Sequence, residues 1–161
     1  MPSSNITVRK AQLADAPAFV QFNLAMAWET EQLKLDAAKL LEGVQGLFQK
    51  PQYGFYVVAE VDQRIAGGLM ITYEWSDWRN KVFWWIQSVY VNPEFRGQGV
   101  YRSLYEGVWR MAQESDCCGF RLYVESTNEA AQAVYKKLGM AESHYLMFED
   151  APLDCLNENP T

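Results

Sequence analysis

Apolar residues recur along this chain in two rhythms, and the places where the rhythm changes divide it into elements. Residues 5–11 alternate as a short strand does, and from Asp15 the apolar positions Ala18, Phe19, Phe22 and Met26 take up helical spacing. Asp36 reads as the cap of a second helix carrying Leu40, Leu41, Val44 and Leu47, which Lys50-Pro51-Gln52 ends. Residues 54–61 then read as a strand. A turn at Asp62 and Gln63 leads into another strand from Ile65 to about Trp75, so the two form a hairpin. Residues 82–91 are almost continuously apolar, the pattern of a strand covered on both faces.

After Asn92-Pro93 a long helix carries Val100, Leu104, Val108 and Met111 on one stripe and is expected to end near Cys118-Gly119. Residues 120–124 read as a strand. Ser126-Thr127-Asn128-Glu129 fits a capping box, and the helix it opens runs to Leu138 with Gly139 at its C-terminal end. Residues 145–148 read as a last strand. The order βααββ followed by βαβαβ predicts an α+β domain of layered α/β/α type, with one mixed sheet and helices on both faces. No repeat or linker interrupts it, so residues 1–150 are expected to be a single domain and residues 151–161 a polar, disordered tail.

Composition narrows the function classes. The 161 residues are 49% hydrophobic and 21% charged, which excludes a low-complexity chain. Six Trp, nine Tyr and eight Phe exceed what a core of this size needs, so some are expected to line a cleft. A net charge of −6 without a Lys/Arg block argues against a nucleic-acid surface and favours cationic partners. Cys117, Cys118 and Cys155 have neither zinc-site spacing nor an even disulfide set, so no metal is expected and a reduced compartment is the simplest reading. No segment approaches 18 apolar residues and the N-terminus lacks a signal pattern, so a cytoplasmic location away from the membrane is expected. The oligomeric state stays open, a homodimer included.

The chemistry concentrates in Val89-Tyr90-Val91-Asn92-Pro93-Glu94-Phe95-Arg96-Gly97-Gln98-Gly99-Val100-Tyr101-Arg102. A buried strand, a proline turn and a glycine-rich opening to an amphipathic helix suit an anion. Glycines let backbone N–H groups approach a phosphate, and the helix N-terminus adds about half a positive charge. Gly97 and Gly99 also fit a reading in which they only shape a tight turn. A GxxxxGK[ST] loop is absent, and a GxGxxG fingerprint would need glycine where Arg102 stands.

These residues resemble the GNAT superfamily of acetyl-CoA-dependent N-acetyltransferases. The family's RxxGxG/A signature is matched by Arg96 and Gly99, with Tyr101 where the family has Gly or Ala, and its approach by Val89, Val91, Pro93, Arg96 and Gly97. A second block, a strand followed by N, A and YxxxGF, looks like Leu122-Tyr123-Val124, Asn128, Ala131, Tyr135, Gly139 and Met140. The resemblance covers about residues 5–148. It implies a GNAT fold whose mixed, mostly antiparallel sheet splays between its fourth and fifth strands to admit acetyl-CoA. It also implies that Val89, Tyr90 and Val91 meet the pantetheine arm, while Gly97, Gln98, Gly99, Val100, Tyr101 and Arg102, with Arg96, surround the pyrophosphate. Asn128 and Tyr135, seven positions apart and so about 20° short of two turns, would share a helix face about 10 Å apart. Tyr135 resembles the general acid that protonates the departing thiolate; a packed helix aromatic is the other reading of it.

Acetyl transfer needs a neutral amine, and deprotonating a lysine-like group at pH 7 costs about 4.6 kcal/mol. Glu29, Glu31, Glu74 and Asp77 are the candidate bases; Glu74 leads, because it ends a strand expected beside the fourth. The Val89 N–H could hold the carbonyl oxygen. Trp75, Trp78, Trp84 and Trp85 could form an aromatic wall, with one of the last pair in the core. His144 lies away from the signature, and Lys136 and Lys137 read as a solvated helix end. The resulting expectation is an N-acetyltransferase moving acetyl from acetyl-CoA to a small cationic primary amine by direct attack in a ternary complex. Its rival is a non-catalytic acyl-CoA-binding or sensor module on the same fold.

Overall fold

The computed structural model describes residues 5–150, so the expectations for the N-terminal tetrapeptide and for residues 151–161, Cys155 among them, lie outside the described residues. Two compact units divide the chain, one reaching Leu122 and one starting at Tyr123.

The first unit is built on a five-stranded sheet in the order β1 (Ile6–Lys10), β2 (Gly54–Val61), β3 (Arg64–Ser76), β4 (Lys81–Val91) and β5 (Cys117–Arg121). The first four pair antiparallel in sequence order, and β5 joins β4 in parallel. The expected mixed sheet is therefore present. Asp62 and Gln63 both take left-handed backbone, with φ of 50° and 65°, so Val61 faces Arg64 across a two-residue hairpin turn.

Helices α1 (Ala16–Glu31) and α2 (Ala37–Gln49) cover one face, where Phe19, Phe22 and Val44 pack with Tyr56, Val58 and Tyr90. The Asp36 carboxylate caps α2 by accepting from the amides of Ala38 and Lys39, as the sequence predicts. Helix α3 (Val100–Gln113) covers the other face with Val100, Leu104 and Val108 against Val57, Leu69, Trp84 and Ile86. A Cβ on Gly107 would stand 2.4 Å from Val8 Cγ1, so α3 lies on β1 at a distance only glycine permits.

Two boundaries differ from expectation here. Helix α3 stops at Gln113, because Glu114-Ser115-Asp116 turn the chain through Glu114 and Ser115 N–H bonds to Met111 and Ala112. The fifth strand accordingly starts at Cys117 and ends at Arg121, earlier than the 120–124 read from the sequence.

The second unit contains α4 (Glu129–Lys137). Its cap is Asn128, whose Oδ1 accepts from the Ala131 amide at 3.1 Å, and not Ser126 of the expected box. At the other end Gly139 takes φ 90°, the Gly139 amide donates to Lys136 O and the Met140 amide donates to Tyr135 O, as the sequence anticipated for a glycine stop. The expected strand at 145–148 is absent from the described structure. A strand exists only through a ladder partner, and these four residues have none, standing exposed instead.

Candidate functional site

Strand β4 changes character halfway along. Up to Trp85 it is flanked by β3 on one side and by β5 on the other, with Val82, Phe83, Trp84 and Trp85 facing Cys117, Gly119, Phe120 and Arg121. Strand β5 stops there. From Ile86 onward this edge of β4 has no ladder partner among the described residues, so a row of backbone donors and acceptors faces away from β3.

The same half of β4 contains a bulge. Gly68 pairs with Tyr90 and Met70 with Gln87, so Leu69 alone stands opposite Ser88 and Val89. Ser88 takes the left-handed φ of 51° that the extra residue requires. Before the bulge Trp84 and Ile86 face α3; after it Val89 and Val91 do, and Tyr90 faces α1. Val89, whose N–H the sequence put forward as a donor to a carbonyl oxygen, stands in the bulge, outside the regular register of pairing.

Beyond Val91 the chain makes a short 3₁₀ turn at Pro93–Phe95 and reaches the glycines. Gly97 and Gly99 have φ of 76° and 83°, conformations that side chains strain, and nothing lies within 4 Å of a Cβ built on either. Gly99 is the N-cap of α3 and makes no side-chain cap bond; the Ser103 amide is the first to return, to Gly99 O. The amides before it, in the first turn of α3, precede the helix's own hydrogen-bond ladder. The result is a bare, positively polarised loop of N–H groups at the end of an open strand edge, a shape and charge that fit a diphosphate joined to an extended arm.

The polar side chains of this loop bond to the protein's own groups at its surface. Arg96 Nε donates to Val91 O and Nη2 to Glu29 Oε2, both at 2.9 Å, and its guanidinium lies 5.3 Å over the Tyr90 ring. Gln98 Nε2 donates to Glu94 O, and Arg102 Nε to Glu106 one turn along α3. Tyr90 Oη donates to Glu29 Oε1 at 2.7 Å. Glu29 thus receives two donors, and the Tyr90 hydroxyl, followed by the Arg96 guanidinium, holds its carboxyl below the usual range. It is ionised but a weak base.

Of the other predicted bases, Glu74 and Asp77 lie toward the opposite end of β4 from the bulge. Glu74 stands opposite Phe83, six residues and roughly 20 Å along β4 from Val89, and is ion-paired with Arg121, whose guanidinium lies 3.8 Å over Phe83. Glu74, which led the candidate bases in the sequence, thus sits at the paired end of the sheet. Asp77 accepts from the Trp78 amide in the distant hairpin, where Trp75 and Trp78 are exposed; Glu31 is exposed at the end of α1. Trp84 is core, packed edge-on against Phe55, so the four tryptophans form no single wall.

In the second unit Tyr135 lies near the end of α4, and burial pushes its phenol above the ordinary value, which keeps it protonated at neutral pH. The Asn128 side-chain oxygen is committed to the helix cap, so Asn128 and Tyr135 differ in kind: one ends the helix, the other rides on it. Lys136 and Lys137 are exposed, and the His144 ring lies 4.1 Å from that of Tyr145. Among the described residues no group of three or more metal-ligating side chains occurs, and no helix is long and apolar enough to cross a membrane.

Sequence reasoning missed the Glu29–Tyr90–Arg96 cluster and the bulge. The first joins residues 61 and 67 positions apart, which no local spacing encodes. A signal for the second was present in the polar pair Gln87-Ser88 inside an otherwise apolar strand.

The acetyltransferase (GNAT) family model matches residues 13–140. The structure of a protein of Clostridium difficile 630, described as a possible acetyltransferase, has a TM-score of 0.86 at 39% identity and covers 92% of this chain and 98% of that one. The thialysine N-epsilon-acetyltransferase of Bos taurus is 31% identical over 75 residues, 47% of this chain and 44% of that protein. A Clostridium acetobutylicum structure, described as a predicted acetyltransferase with acetyl-CoA, is 18% identical with a TM-score of 0.73, covers 91% of this chain and 96% of that one, and shows the shared fold. The chain spans about half the length of the curated relatives it matches.

Proposed function

We propose, for a chain that belongs to the acetyltransferase (GNAT) family, that it transfers acetyl from acetyl-CoA to a primary amine by direct attack within a ternary complex. The observation that carries this reading is the open edge of β4 from Ile86 onward, leading into a glycine loop at the start of α3, whose N-cap Gly99 makes no side-chain cap bond. Acetyl-CoA, when bound, supplies a thioester carbonyl and a thiolate leaving group.

The chain's own groups divide the work. The Val89 to Val91 backbone takes the extended arm as a further strand would be taken, and the amides from Gly97 to Arg102 take the pyrophosphate. Tyr101 contributes through its N–H. The Val89 amide, in the bulge, is the donor for carbonyl oxygen charge. Tyr135, protonated at neutral pH, is the proton donor to the departing sulfur. With Glu74 paired to Arg121 and Glu29 held ionised, the amine proton passes to water.

A small cationic amine is the acceptor class best supported, by the net charge of −6 and by the amine named in the thialysine relative. A thiol-release assay with acetyl-CoA across polyamines, amino acids, aminoglycosides and peptide N-termini tests it. Turnover with at least one cationic amine is expected; acetyl-CoA binding without turnover on any amine would favour a sensor module instead.

A further inference from the structure

Helix α1 ends beside the glycine loop, and the contact is specific. Both Glu29 carboxylate oxygens are used, one by the Tyr90 hydroxyl at 2.7 Å and one by Arg96 Nη2 at 2.9 Å. Arg96 is held a second time by Val91 O, at the end of β4, and lies over the ring of Tyr90. Three elements therefore converge on one guanidinium: the last turn of α1, the end of β4 and the start of the loop.

We propose that Glu29 is a positioning residue for acetyl-CoA binding, fixing through Arg96 the loop whose amides receive the pyrophosphate. The inference rests on the reading of that loop given above. Gly97 and Gly99 have the widest backbone freedom of any residue type and no side chain to anchor, with open space where a Cβ would stand, so they do little to hold the loop in shape. The non-glycine positions must do it, and Arg96 is fixed from outside the loop, whereas Gln98 bonds to nearby Glu94 O. The Arg96–Glu29 pair is close to half exposed on both sides, so its worth to global stability is small. Its larger effect falls on the order of the loop before ligand arrives, which lowers the entropy that binding must remove.

The sign of one substitution separates this role from the obvious rival. If Arg96 instead serves the phosphates directly, Glu29 competes with them, and neutralising it releases the guanidinium and tightens binding. If Glu29 positions the loop, neutralising it loosens binding.

Calorimetric titration of acetyl-CoA and of CoA into the full chain tests the two, using wild type, Glu29→Gln, Arg96→Lys, their combination and Tyr90→Phe, which keeps the buried ring and removes only the hydroxyl. Thermal unfolding without ligand reports whether each variant is folded. Positioning predicts a Kd raised roughly 3- to 10-fold by Glu29→Gln and less by Tyr90→Phe. The ligand-free melting temperature should stay close to wild type, and kcat at saturating acetyl-CoA should be little changed. The double variant should bind no more weakly than the weaker single one, since both act through one contact. A Kd unchanged or lowered in Glu29→Gln, with wild type binding normally, overturns the inference alone. A wild-type chain that binds neither ligand overturns the reading of the site and this inference with it.

Discussion

Asp15 shows how much a single carboxylate does in this fold. It is buried, accepts two bonds from Arg9 and one from the Gln12 amide, and Arg9 reaches on to Glu60, so the entry to α1 is tied to β1 and β2. The Arg9 hydrogen bonds pull its carboxyl below the ordinary value against the opposing effect of burial. A depressed folded pKa contributes stability that is complete above the unfolded value, about 3.9, and is lost as pH falls through the folded one. Asp15→Asn should therefore cost about 2 kcal/mol in urea unfolding at pH 7, and its deficit relative to wild type should shrink below about pH 4. Glu29 has the same sign, set by Tyr90 first and Arg96 second. At Tyr135 the ring packs and the hydroxyl is held protonated, so Tyr135→Phe should leave the fold and the acetyl-CoA KM nearly unchanged while lowering kcat about 10²- to 10⁴-fold, measured where chemistry limits the rate. Wild-type kcat in that variant would make Tyr135 a packing residue.

Most elements were legible in the sequence because each is built on one local rule. Helical spacing placed α1, α2 and α3; two left-handed polar residues placed the β2–β3 turn; a doubly covered apolar run placed β4 at the centre of the sheet. The misses have physical reasons. The polar triplet after Gln113 stops α3 before the cysteines, Asn128 outcompetes Ser126 as a cap because its Oδ1 reaches the Ala131 amide, and residues 145–148 have strand composition without a strand to join. The site divides in the same way. Its glycine loop is visible as a motif, while the bulge and the Glu29 contact depend on register and on long-range packing. At this scale the closest approach is Gly107 against Val8. Gly107→Ala removes about 1 kcal/mol of helix cost yet forces α3 off β1, so a net loss of about 1 kcal/mol or more is expected in chemical denaturation. A stabilised variant would show that the two elements yield without strain.

Over the whole molecule, net charge −6 creates a field that draws cations and that salt screens over about 8 Å at physiological ionic strength. For a polyamine or basic amino acid ester, kcat/KM should fall as salt rises; an anionic best acceptor would assign the acidity to solubility alone. The field, the open strand edge and the bare amide loop belong to one account, in which the chain receives acetyl-CoA through its backbone. The most direct measurement is thermal unfolding of the wild-type chain and of Gly99→Glu with and without millimolar acetyl-CoA. The account predicts a melting temperature for wild type that rises with ligand concentration as RT ln(1 + [L]/Kd), and no rise for the variant, whose carboxylate fills and repels at the loop. A wild-type melting curve unmoved by millimolar acetyl-CoA would contradict it.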